Sequence, residues 1–231
     1  AIRIAKNNGL NIPVIWNSSG YELPEYLKLL DGLADIFLPD LKTLSPELSR
    51  KYMKAPDYPE RVKKAIDCMM KIAGKPVFTS EGGVELMKRG LVVRHLVIPG
   101  CEEDSAKVLE YLHAEYGNDI WISLMSQYTP VGRFAVRTQG SKTGSQGGNT
   151  EGLADQARDP RNKTEDPENR IDDPADTEFA ELYRSVDMDR YNELVDHAIE
   201  IGIENCMIQE EGADSESFIP LFDGTGIIEG K

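Results

Sequence analysis

Short apolar runs alternate along this chain with amphipathic stretches at helical spacing, and that alternation leaves few folds open to it. IPVIWNSSG and ADIFLPDLKTL are apolar segments that end in polar residues, as buried parallel strands do where they enter a loop. After the first, LPEYLKLLDGL places Leu23, Leu27, Leu30 and Leu33 at helical spacing; after the second, SPELSRKY offers Ser45 as a helix cap and Pro46 at the first helical position. PERVKKAIDCMMKIAG carries Val62, Ala65, Ile66, Met69 and Ala73 on one face, and the chain opens with AIRIAKNNGLN, which reads as the end of a helix closed by Gly9.

The pattern continues beyond the APDYP interruption. KPVFTSEGGVELMKRGLVVRHLVIPG reads as two strand stretches joined by a turn around Gly82 and Gly83. EEDSAKVLEYLHAEYG is a helix with Val108, Leu109 and Leu112 inward, and DIWISLMSQYTP is a further strand. From Val136 to Glu178 the order stops: TQGSKTGSQGGNTEG and DQARDPRNKTEDPENRIDDPAD are polar, acidic and broken by proline, the composition of a solvated insertion. MDRYNELVDHAIEIG restores a helical face through Tyr191, Leu194, Val195, Ala198 and Ile199, and GIENCMIQE reads as a last strand. The expected class is α/β, either an open parallel sheet or part of a closed barrel. Residues 1–135 form its main part, 136–182 the acidic insertion, and 183–231 a helix, strand and tail that complete the same domain.

Charge narrows the partners. A net charge of -14 argues against a nucleic-acid backbone, which demands clustered Lys and Arg. No apolar run is long enough to span a bilayer and the opening residues do not resemble a secretory signal, so a cytoplasmic protein is expected. Cys68, Cys101 and Cys206 are too widely spaced to suggest a metal site or a disulfide framework.

In parallel sheets and barrels, ligands collect where the strands end at their carboxyl side. Four segments end there in polar residues: Asn17, Ser18, Ser19 and Gly20; Asp40 and Lys42; Arg94, His95, Pro99 and Gly100; and Ser126, Gln127 and Tyr128. Asp40 and Lys42, two apart, share a face if the strand runs through them, and an acid beside an amine can grip a zwitterion. Arg94 and His95 are adjacent within an apolar strand and must point to opposite faces. The chain lacks a dinucleotide fingerprint, a phosphate loop, H-E-x-x-H and G-x-S-x-G, and His113 and His197 read as partly exposed helical residues.

VIWNSSG, LPDLKTLSPELSRKYMKAPDY, MKRGLVVRHLVIPG, SLMSQYTP, RYNELVDHAIEIGIENCMIQE and FIPLFD, taken in order, resemble the radical S-adenosylmethionine (radical SAM) proteins related to pyruvate formate-lyase activating enzyme. The resemblance implies an incomplete TIM-like (β/α) barrel lacking its first strands. It also implies S-adenosyl-L-methionine as cofactor beside a [4Fe-4S] cluster, whose reduction generates a 5'-deoxyadenosyl radical. Carried over residue by residue, Ser18 and Ser19 lie near the cofactor, Asp40 and Lys42 bind it, Arg94 stands beside it, and Gly100 belongs to an adjoining turn. Tyr128 lies near a position where these enzymes place a Tyr-His pair, from which Gln127-Tyr128-Thr129 departs.

The resemblance implies two partners: a glycyl-radical protein as substrate and a flavodoxin- or ferredoxin-like electron donor. The C-x-x-x-C-x-x-C motif that ligates the cluster is absent, as is the Gly-Gly-Glu motif, so the cluster is expected only in a longer protein of which this chain is a part. The alternative expectation is a cluster-free barrel fragment that acts as a small-ligand or protein-binding module. An ordinary α/β hydrolase or isomerase is weaker, because no nucleophile and base pair is evident.

Overall fold

A computed structural model describes residues 1–130 and 178–209. It divides the chain into two compact units, one formed by Ala1–Thr129 with Ser185–Lys231 and the other by Pro130–Arg184. In the second unit the described residues include a short 3-10 helix, Ala180–Tyr183. Most of the acidic insertion, residues 136–177, and the tail from residue 210 onward lie outside the described residues.

The first unit is an α/β structure. Its strands β1 (Ile15–Ser18), β2 (Ile36–Pro39), β4 (Val84–Leu96), β5 (Trp121–Met125) and β6 (Cys206–Ile208) pair in parallel in that order. Strand β3 (Val77–Glu81) pairs antiparallel with the first half of β4. The two-residue turn of that hairpin needs positive φ at both central positions, and Gly82 and Gly83 adopt φ 62° and 82°. The parallel order follows the sequence without reversal, so these strands contain no switch point of the doubly wound kind; neighbours are added one after another, as in a singly wound sheet or barrel.

Four described helices of two turns or more carry the apolar faces. They are α3 (Pro46–Met53), α4 (Tyr58–Ala73), α5 (Glu102–Tyr116) and α6 (Met188–Glu200). The Ser45 side chain accepts from the Leu48 backbone N–H at the start of α3, the cap its position predicts. All five residues expected on the inner face of α4 are buried, and Val108, Leu109 and Leu112 of α5 are fully so. Two expectations need correction. The Leu23–Leu33 stretch forms only α2 (Pro24–Leu27) and a following 3-10 turn, Lys28–Leu30, before Gly32 takes φ 72° and the chain turns. Ile199, expected on the apolar face of α6, is 67% exposed. The opening helix, α1 (Ile2–Asn7), is short, with Gly9 beyond it at φ 95°.

The sheet has two distinct faces. Phe37, Leu91, Val93, Ile122 and Leu124 join residues of α4, α5 and α6 in one buried cluster. Ile36 and Val92, one residue out of step, are each 7% exposed yet stand outside that cluster. Strand alternation therefore puts Asn17, Asp40 and Arg94 on the face away from the helices, and His95 on the helix side. No described helix is long and apolar enough to cross a membrane.

Candidate ligand-binding site

Three parallel strands bring their polar ends together. Asp40 follows directly on β2 and bridges to Arg94 of β4, its backbone N–H bonding Ser18 O at 3.0 Å while Leu41 N–H bonds Arg94 O at 2.8 Å. On the face away from the helices, the Arg94 guanidinium reaches Asp40 Oδ1 at 2.6 Å and donates to Asn17 Oδ1 at 2.8 Å. The Lys42 amine lies 2.8 Å from Asp40 Oδ2. One carboxylate thus holds two cations, and one cation ties β4 to β1.

The charges are informative. Asp40 contributes -1 against +1 each from Lys42 and Arg94, a net +1 for these three side chains, while the Glu22 carboxylate also acts on the Tyr58 hydroxyl beside them. Both oxygens of Asp40 are occupied, whereas Lys42, whose side chain is 42% exposed, has donors to spare. Those spare donors suit the carboxylate of a ligand.

Tyr58, in the first turn of α4, ties the site to the protein. Its hydroxyl lies 2.9 Å from Asp40 O and 3.1 Å from Ser19 O, and it accepts from the Lys42 backbone N–H at 3.1 Å. Burial holds this phenol well above its ordinary value, so it stays protonated and keeps a proton to donate. Tyr21 stacks on the Tyr58 ring at 5.8 Å, and the Arg61 guanidinium lies over Tyr21 at 5.0 Å. Gly20 has φ 75°, and a Cβ there would strike Asp40 O and lie 2.7 Å from Val62 Cγ2. Only glycine lets β1 turn away so close to the end of β2.

The sequence-derived residues separate accordingly. Asp40, Lys42 and Arg94 meet. Ser18 does not join them: it falls on the opposite face from Asn17, and its Oγ accepts from Gly20 N–H at 3.3 Å. Ser19 contributes its carbonyl to Tyr58. Gly100, at φ 80°, occupies a turn whose N–H donates to Glu102 Oε1. Tyr128 packs against the helix-side core, its N–H donating to Ser126 O at 2.8 Å. Asn17, grouped with the first strand end in sequence but not carried over by the resemblance, belongs to the cluster, as does Tyr58, which sequence reasoning passed over.

His95 lies on the other face and is buried, with Nδ1 2.7 Å from Leu41 O and Nε2 2.9 Å from Ser105 Oγ. A carbonyl only accepts, so Nδ1 carries the proton and Nε2 receives the serine hydroxyl. Burial pushes the imidazole below its ordinary 6.5, outweighing the opposing bond to Leu41. The unfolded chain therefore binds more protons than the folded one once the pH drops toward 6.5, and stability supported by neutral His95 is lost from there down to the lower folded value. Urea unfolding at pH 7.5 and 5.5 is expected to show this loss, with a contribution of at most about 1.4 kcal/mol per pH unit. A His95→Gln variant should show a flatter dependence; an equally steep one would assign the effect to other groups.

The cysteines do not fit an iron-sulfur cluster. Cys68 is buried in α4 with its thiol toward Pro24 O at 3.6 Å, Cys101 precedes α5 and Cys206 begins β6. Among the described residues no group of three His, Cys, Asp or Glu side chains is placed to hold a metal ion.

Fold and cluster together define an α/β protein with a parallel sheet, flanked by helices, whose strand ends carry a compact cluster of charged side chains. No family model matches the chain, and no solved structure matches it. It is similar to Uncharacterized protein MJ0674 of Methanocaldococcus jannaschii, 27% identical over 124 residues that cover 52% of this chain and 30% of the relative. The chain therefore matches less than a third of that relative's length.

Proposed function

We propose that the carboxyl-end mouth of the sheet binds a small zwitterionic ligand by its carboxylate, with S-adenosylmethionine the candidate that the sequence resemblance supplies. The observation that carries this reading is the sharing of Asp40 by Arg94 and Lys42, which assembles two oriented cations around one anion where three strands end. Lys42 would hold the ligand carboxylate from the rim and Arg94 from the floor, while Asp40 keeps both cations in place. The proposal requires no cluster and matches the reading of the chain as a small-ligand module.

For the whole protein the resemblance extends the proposal to a radical SAM enzyme acting on a glycyl-radical protein, with a flavodoxin- or ferredoxin-like donor. That extension rests on the sequence motifs, and its iron-sulfur cluster requires ligands other than Cys68, Cys101 and Cys206.

Titration calorimetry separates the possibilities. S-adenosylmethionine and methionine are expected to bind, and methioninol, which lacks the carboxylate, to bind at least about tenfold more weakly, the loss of one charge-assisted contact. Equal affinity for methionine and methioninol would remove the carboxylate from the proposal. No heat with any of the three at millimolar concentration would remove the site.

A further inference from the structure

We propose that Tyr58 is the positioning residue of this mouth: its buried hydroxyl clamps the backbone of Asp40 and Lys42 to the end of β1 and so sets where the Lys42 amine stands. The clamp spans three segments. The hydroxyl proton is directed at Asp40 O at 2.9 Å, with Ser19 O at 3.1 Å as the second acceptor, and the oxygen receives Lys42 N–H at 3.1 Å. Leu41, the residue between the two clamped positions, is fully buried and bonds to β4 through its own N–H.

Asp40 is thereby fixed from both sides, whereas beyond Leu41 the Lys42 backbone N–H is held, among the described residues, by Tyr58. The phenol is itself held, 2% exposed, by the stacked Tyr21 ring. Phenylalanine would keep the packing and the stack but leave Lys42 N–H without its acceptor, freeing the segment that carries the amine. The molecule contains its own control. Tyr191 of α6 is equally buried, and its hydroxyl donates to Leu124 O at 2.8 Å and accepts from Gln209 N–H at 3.0 Å, joining β5 to the segment after β6. Tyr191→Phe removes the same chemistry from strand ends outside the Asp40 cluster.

The inference rests on the ligand reading only in the second of two measurements. The first needs no ligand: reductive methylation of lysines, followed by peptide mass spectrometry, gives the labelling rate of Lys42 relative to Lys71, which is 78% exposed. Tyr58→Phe is expected to raise the relative rate at Lys42 severalfold and Tyr191→Phe to leave it unchanged. An unchanged rate in folded Tyr58→Phe, or an equal rise in both variants, overturns the proposal. If Tyr58→Phe does not fold, amide exchange in the wild-type chain decides: the Lys42 amide must be protected, and free exchange there overturns the clamp.

The second measurement is a cycle with S-adenosylmethionine as probe. Tyr58→Phe should weaken binding about fivefold in the wild-type background and have no further effect in Lys42→Ala, since the clamp acts through that amine. Equal losses in both backgrounds would show a role independent of Lys42 and overturn the positioning assignment. If the wild-type chain binds no probe, the ligand reading fails while the labelling result still decides the clamp.

Discussion

Gly20→Ala is expected to destabilise the protein by about 3–5 kcal/mol, the range of substitutions that force a buried clash onto a special backbone angle. Alanine brings two penalties at once. A side chain is strained at φ 75°, and the added methyl would strike Asp40 O and lie 2.7 Å from the Val62 methyl. Neither neighbour can give way cheaply: Asp40 O is bonded to Tyr58, and Val62 is fully buried in α4. Urea unfolding measures the loss directly. Gly32→Ala is the comparison, since Gly32 has a similar φ of 72° but nothing within 4 Å of a Cβ, so its cost is the backbone term alone. Equal destabilisation by the two would mean that the approach of β1 to β2 is not tight in solution.

Arg94→Ala is expected to weaken S-adenosylmethionine binding by about 100-fold, the loss typical of removing one member of a hydrogen-bonded charge group from a site. The substitution brings the net charge of these three side chains, with Asp40 and Lys42, from +1 to 0 and severs the link from β4 to Asn17. Lys42→Ala, at a position with a 42% exposed side chain, should cost less, about tenfold, because a solvated rim charge is partly replaced by water. The order of these losses is the test. A larger loss at Lys42 than at Arg94 would place the ligand carboxylate at the rim, and unchanged affinity in both would exclude this mouth as the site.

Much of this was legible in the sequence because two periodicities decide it. The buried faces of α4 and α5 follow from residues spaced three and four apart, and the opposite orientations of Arg94 and His95 from strand alternation. What the sequence concealed was parity. Ile15 and Trp16 are both apolar, so alternation in β1 had no visible starting point; the structure gives the cluster Asn17 and turns Ser18 to the other side. Tyr58 was hidden for another reason: APDYP resembles a break between elements, yet its tyrosine opens α4 and its hydroxyl reaches a strand end 18 residues earlier. Such a bond is set by the packing of a helix on a sheet, which local patterns do not encode. Ile199 errs the other way, its apolar chemistry fitting the helical period while α6 leaves it exposed.

The sequential strand order also bears on how the sheet is assembled in time. Leu96 and Trp121 enclose 24 residues (97–120), whereas Met125 and Cys206 enclose 80 (126–205). Closing the longer loop from the unfolded chain costs about 1 kcal/mol more in entropy, from (3/2)RT ln(80/24). Strand β6 adds only three residues of pairing in return. Strand β6 is therefore a natural late arrival in folding and an early one to leave, so its amides should exchange with deuterium well before those of β2 and the parallel half of β4.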